Sequence, residues 1–414
     1  MIRRAFADYP LVLIALLLSA YGVAVVYSAG QTDVPVPYVV GAWKRQLAWL
    51  GISIVAAWIV SRASVRFLDW VATPAYVLGV ILLAVTLVIG SGAGTAASMK
   101  GWITIGGTRI GQPAELAKVC VVLMLAKVLS ASRNAPKSLL ELWKPAVVVL
   151  IPWVLVMAQP DLGTGMVFIG IFFAMLFWSG VSARLLLLIA SPAISLVLAF
   201  STGLWGAWFL LLLAVVVLYK PYIVEGVVLV VANVLMGVAA PLLWERLEPH
   251  QQARLLVFLD PSQDPKATGY HVIQSKIAIG SGGWLGKGFT LGTQKRLAFL
   301  PAQHTDFIFS VVGEELGFLG VTAALLLFLF LFLRSIRVAT RASDSFSSLV
   351  AFGLIGSWFV HVAENVGMTL SLMPVTGIPL PFFSYGGSFM LACWISVGVL
   401  VRISSEGRGM ADAF

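Results

Sequence analysis

Charge is what this sequence has least of. Only 11% of its 414 residues are Asp, Glu, Lys or Arg, while 60% are hydrophobic. Soluble domains carry about 25% charged residues, so an ordinary soluble globule is excluded. Many apolar runs approach or pass the roughly 17–25 residues a membrane helix needs. Backbone groups in lipid must pair within their own segment, which leaves helices or a closed barrel. A barrel would show alternating segments of about ten residues, and the unbroken runs exclude it. Cysteine is nearly absent. Cys120 and Cys393 both sit inside apolar runs, where they read as small core residues rather than a disulfide or metal framework. There is no Walker loop, no GxGxxG ahead of a strand and no HExxH, so the chain is not expected to run on cytoplasmic ATP by itself. Repeats and low-complexity tracts are missing too. The first apolar run, Pro10–Ala29, lacks a clear cleavage site and reads as a span, not a cleavable signal peptide. The net charge of +9 is scattered over short loops. It is a topology signal, and no nucleic-acid partner is expected.

What is present reads as one all-α polytopic membrane domain over residues 1–414. Twelve spans are predicted near 10–29, 46–63, 69–91, 113–131, 145–158, 162–180, 182–200, 204–219, 222–243, 307–334, 346–370 and 382–403. Arg3 and Arg4 precede the first. Arg62, Arg66, Arg133, Lys137, Lys144, Arg184, Lys220, Arg334, Arg337, Arg341, Arg402 and Arg408 follow even-numbered spans. The positive-inside rule places all of these, and both termini, in the cytoplasm. The opposite short loops hold only Lys44, Arg45, Lys100 and Arg109. The long segment 244–306 then faces outward. Its apolar "GYHVIQSKIAIGSGG" predicts a short amphipathic helix on the membrane surface.

Ionisable residues gather on that outer half. "HTDF" puts His304 and Asp306 at the head of an apolar run. Thr305 or Asp306 could cap the coming helix, or Asp306 could serve as a base at the membrane surface. Eight further residues of helix span roughly 12 Å, so Glu314 and Glu315 should lie deeper. Intramembrane acids are costly and functional by default. Glu115 and Lys118 in "RIGQPAELAK" share a helix face, as a structural pair or with the lysine facing an external anion. Lys44 and Arg45 could snorkel or bind. Asp161 in "AQPDLGTG" reads mainly as a cap. "LMPVTGIPLPFFSYGGS" (372–388) predicts irregular backbone lining a cavity, braced by Asn365. Gln112, Asp161, Asn365, Glu314 and Glu315 are assigned structural or cavity-lining roles.

Residues 269–320, with "QPAELAK", "QPDLGTG", "WERLEPHQQARLLVFLDPSQDP" and "NVGMTLSLMPVTGIPLPFFSYGGS", resemble the SEDS family of bacterial shape, elongation, division and sporulation proteins. The resemblance covers most of the chain and favours the elongation branch, RodA, over the division branch, FtsW. It implies a peptidoglycan glycosyltransferase in the bacterial cytoplasmic membrane. Such an enzyme polymerises lipid II at the outer face and releases undecaprenyl pyrophosphate. The implied partners are a class B penicillin-binding protein and other elongation-complex membrane proteins. The resemblance puts the essential aspartate on Asp306 and the acid–lysine pair on Glu115 and Lys118.

Three departures stand out. Ala114 replaces a usual serine, and Ala302 a usual glutamate. The region 182–243 carries three spans where the family pattern of ten has one, so an extra hairpin is expected. On this reading Asp306 is the base. Lys118, Arg109, Lys44 and Arg45, in that order, are candidates for the pyrophosphate, with Glu115 positioning Lys118 and His304 at the mouth. No cofactor is evident, though a divalent cation could share the charge. The rival readings are a lipid II flippase and a non-catalytic scaffold of the cell-wall synthase.

Overall fold

The computed structural model describes residues 8–33, 39–92, 100–105, 108–132, 134–219, 222–246, 252, 268–300 and 302–411. Of the cations that orient the chain, Arg3, Arg4, Arg133 and Lys220 lie outside the described residues. So does most of 247–267, and so do the side chains of Arg109 and Arg408.

Twelve helices among the described residues occupy the twelve predicted runs. They are α1 (Tyr9–Ala29), α2 (Ala42–Ser61), α3 (Val65–Ile89), α4 (Pro113–Ser130), α5 (Trp143–Met157) and α6 (Leu162–Trp178), followed by α7 (Ala183–Leu198), α8 (Thr202–Tyr219) and α9 (Ile223–Arg246). The remaining three are α12 (Ile308–Thr340), α13 (Ser345–Thr369) and α14 (Gly387–Ala411). Between α9 and α12 lie α10 (Thr268–Ser281), the helix expected from "GYHVIQSKIAIGSGG", and the single turn α11 (Thr293–Arg296). Seven of the described helices are long and apolar enough to cross a membrane by length and composition.

One element was not expected. Strands β1 (Ile103–Ile105) and β2 (Thr108–Gly111) form an antiparallel hairpin between α3 and α4. The β-branched residues of "ITIGGTRIG" on either side of a Gly-Gly pair explain it. The run is too short to stand out against the membrane spans. Boundaries also moved. α12 continues six residues past the predicted end at 334, because Arg334 is not a flanking loop cation. It pairs with Asp8 at 2.7 Å, which ties the end of α12 to the N-cap of α1. α14 starts at Gly387, not 382, because Pro381 to Gly386 belong to the irregular segment.

Burial sorts the helices. The apolar windows of α13 and α14 are 72% and 67% buried, while those of α3 and α9 are 17%. α13 and α14 are therefore central, and α3 and α9 peripheral. α7, α8 and α9 pack chiefly on one another around Leu188, Leu212 and Leu229. A polar knot holds this group: Asn233 donates to Ser191 Oγ at 2.8 Å, and Trp208 donates to Ser195 Oγ at 3.0 Å. Polar side chains in apolar surroundings need such partners. Glu225, also buried, accepts from the Leu140 amide at 3.4 Å.

Candidate functional site

The "HTDF" stretch is a tight turn. The amides of Thr305, Asp306 and Phe307 all point to the Ala302 carbonyl, at 3.0, 3.1 and 3.3 Å. Phe307 occupies the N-cap position of α12 and makes no side-chain cap bond. Neither Thr305 nor Asp306 fills that position, contrary to the capping alternative. The Thr305 hydroxyl instead turns back to the Ala302 carbonyl. Asp306 is half-buried.

The segment 376–386 is irregular, as its prolines and glycines suggested, and it packs against this turn. The Ser384 hydroxyl donates to the Thr305 carbonyl at 2.6 Å, and the Tyr385 amide to the His304 carbonyl at 2.9 Å. Gln46 of α2 clamps the far side, donating to the Ser384 carbonyl at 3.0 Å and accepting from the Gly386 amide at 3.1 Å. Asn365 of α13 donates to the Asp306 carbonyl at 2.9 Å and the Ile378 carbonyl at 2.8 Å. Gly377 has φ +77°, and a Cβ there would stand 3.2 Å from Asp306 Oδ2. A side chain would be strained in that backbone conformation and would crowd the carboxylate.

Arg45 and Lys44 sit on the exposed side of this assembly. The Arg45 guanidinium lies 5.6 Å from the Tyr385 ring, and the His304 and Tyr385 rings are 5.5 Å apart. Lys44 lies 5.7 Å from the Trp43 ring. Burial, and then the Arg45 charge, push the His304 imidazole down to about 4. His304 is therefore neutral near pH 7. An unfolded histidine titrates near 6.5, so between that value and about 4 the unfolded chain binds the extra proton. Stability is expected to fall as pH drops through this window. Thermal unfolding of the detergent-solubilised protein should show it, and His304→Gln should flatten the dependence.

Glu115 and Lys118 pair at 2.8 Å, with both side chains only 4% exposed. Lys118 Nζ also lies 2.7 Å from His361 Nε2 and 5.4 Å from the Phe389 ring. The pair is thus covered, not open to the surface as a direct anion site requires. A cavity of about 20 Å³, room for about one water, lies beside it. Asp161 caps α6 by accepting from the Thr164 amide at 3.0 Å, and it also accepts from Gln112 Nε2 at 3.2 Å. The Gln112 amide in turn donates to Ser388 Oγ at 3.1 Å. Arg109 lies on β2, with its side chain outside the described set.

Glu314 and Glu315 do not face the Asp306 assembly. Helical geometry breaks at Gly317 (φ 61°, ψ −157°), just after both glutamates, so the first turns of α12 are a separate short helix that ends beside them. At the break, the amides of Lys287 and Gly288 bond to the Glu314 and Glu315 carbonyls, both at 3.0 Å. Glu314 accepts from Lys287 Nζ at 2.8 Å and from the Gln294 amide at 2.9 Å. A carboxylate at the start of α11 suits its exposed amides. Glu315 pairs at 2.6 Å with Lys295, which is fully buried and also donates to the Ser28 carbonyl at 2.6 Å. The pair pins the 287–296 loop to α1.

His361, Gln46, Glu364 and Lys295 were not singled out from sequence. Glu364 is buried and accepts from the Thr376 hydroxyl at 2.8 Å. "HVAEN" offered a signal for two of them, since intramembrane ionisable residues are suspect by default. Among the described residues, no three His, Cys, Asp or Glu side chains gather as metal ligands do.

The family model described as cell cycle protein, covering FtsW, RodA and SpoVE, matches residues 9–205 and 202–409. Peptidoglycan glycosyltransferase MrdB of Escherichia coli K12 is 34% identical over 99% of this chain and 96% of its own length. Peptidoglycan glycosyltransferase RodA of Treponema pallidum is 34% identical, over 96% of this chain and 98% of its own. A chain from a peptidoglycan synthase complex that coordinates polymerization and crosslinking superposes with TM-score 0.69. It is 30% identical, with 97% of this chain and 98% of that chain covered. The crystal structure of the rod shape determining protein RodA of Thermus thermophilus gives TM-score 0.62 at 27% identity, with 96% of each chain covered.

Proposed function

Because the chain belongs to the FtsW, RodA and SpoVE family and is a peptidoglycan glycosyltransferase of the elongation type, we propose that it polymerises lipid II with Asp306 as the general base. The observation that carries this is the clamping of Asp306 by Asn365 and the 376–386 segment, with exposed Arg45 on the same rim.

The reaction joins a hydroxyl of one lipid-linked sugar to the anomeric carbon of another. The new C–O bond forms as the bond to pyrophosphate breaks, and undecaprenyl pyrophosphate departs. Asp306 takes the hydroxyl proton, which calls for geometry before pKa. The leaving pyrophosphate needs cations more than an acid. Exposure changes the expected order among these cations. Arg45 and Lys44 are open to the surface and take the direct role, Arg45 first, since its forked guanidinium suits phosphate oxygens. Lys118 is covered and supplies its charge from beneath the segment, where low polarity lets a charge act further than in water. Glu115 holds it.

The chain is a multi-pass membrane protein. We place it in the bacterial cytoplasmic membrane with this rim outward, on the charge bias of its loops. The partner we propose is a class B penicillin-binding protein, in line with the coordinated polymerization and crosslinking of the similar complex. Two of α7, α8 and α9 form the hairpin beyond the family's ten spans. This assignment is supported by their packing on one another and by the meeting of the two family matches at 202–205. Purified chain and partner, given purified lipid II, should produce glycan strands and undecaprenyl pyrophosphate. Lipid II crossing reconstituted bilayers with no polymer formed would point to a flippase instead.

A further inference from the structure

His361 and Asn365 are one turn apart on α13 and share a face. Asn365 holds the Ile378 carbonyl and, through its other amide hydrogen, the Asp306 carbonyl. His361 Nδ1 lies 3.0 Å from the next carbonyl along, that of Pro379. A carbonyl only accepts, so Nδ1 carries the proton. Nε2 is left with a lone pair, which accepts from the Lys118 ammonium at 2.7 Å. An imidazolium here would set N–H against ammonium. Glu115 alone cannot register Lys118 against the rest of the site, because both belong to α4. A lysine is a flexible stem with a point charge at its end. The hydrogen bond that fixes it across helices is the one from α13.

We propose that His361 is a positioning residue for glycosyl transfer. It locks Lys118 beneath the 376–386 segment and ties it to the carbonyl next to the one Asn365 ties to Asp306. The cation and the base are thereby held on one face of one helix. The inference rests on reading Lys118 and Asp306 as reaction groups. Displacing a charge by about 1 Å can cost about 10²-fold in rate.

Two near-isosteric variants separate the two bonds. His361→Gln offers an amide oxygen near Nε2, so it keeps an acceptor for Lys118 and gives up the Pro379 bond. His361→Asn offers an amide N–H near Nδ1, so it keeps Pro379 and gives up the acceptor. With the purified chain, its partner and lipid II, His361→Gln should stay within about threefold of wild-type kcat, and His361→Asn should fall by about tenfold or more. The deficit should vanish when His361→Asn is built on Lys118→Met. Equal losses in the Gln and Asn variants would show a packing role and overturn the proposal. So would a wild-type rate in His361→Asn, or an undiminished deficit on Lys118→Met. If Lys118→Met itself runs at the wild-type rate, the site reading falls and the inference with it. If Lys118→Met is slow while His361→Asn is not, the inference alone falls. Should His361→Asn not purify folded, His361→Met fills the volume without an acceptor, and the same loss is expected.

Discussion

Asp306→Asn should lower lipid II polymerisation by about 10²–10⁴-fold, the span a positioned general base contributes. The substitution keeps the size of the side chain while removing its charge and its ability to take a proton. The turn should survive, because its bonds are to backbone. The amides of residues 305–307 converge on the Ala302 carbonyl, and Asn365 holds the Asp306 carbonyl, not its carboxylate. Melting temperature and partner binding should therefore match wild type while the rate collapses. Asp306→Glu should be impaired as well, because a longer side chain must find room beside Gly377, where the carboxylate already sits close to the backbone. A rate within about threefold of wild type in a folded Asp306→Asn protein, against the loss expected for a base, would place the base elsewhere.

The second large effect is on the fold. Lys295→Met should destabilise the protein by about 3–5 kcal/mol, the cost of breaking a buried ion pair from one side. Glu315 would stay buried with only the Ser28 hydroxyl and the Gly292 amide to meet it. Burial pushes the Lys295 ammonium below the usual lysine range, and Glu315 opposes that shift. The pairing therefore works to keep Lys295 charged in its buried position. Thermal unfolding in detergent should show the loss. Adding Glu315→Leu to Lys295→Met should recover most of it, because an apolar pair leaves no charge stranded. A single variant as stable as wild type would mean that the 287–296 loop is held by other contacts.

These two outcomes separate groups that lie nine residues apart in the sequence. Asp306 and Glu315 look alike on paper, as acids interrupting one apolar run. Their partners decide between them. The 283–288 backbone packs against α12 at its break at Gly317, and both glutamates meet lysines of the 287–296 loop. Asp306 is left on the other side, against Gly377 and the 376–386 segment.

The sequence by itself determined the solvent and therefore the class of fold. Apolar runs of this length in a chain so short of charge satisfy their backbone bonds only as helices, so twelve helices could be read from composition. Asp161 as a cap and Asn365 as a brace were legible too, because capping and bracing are local or leave a polar residue conspicuous in an apolar run. Tertiary structure decided what depends on contact between distant segments. It put Lys118 under cover and Arg45 in the open, gave Glu314 and Glu315 to Lys287 and Lys295, and brought His361 to Lys118 across 243 residues. Helix periodicity fixes which face of a helix a residue occupies. It carries no information on which other helix that face meets, and the cost of leaving a buried charge unpaired is settled only there.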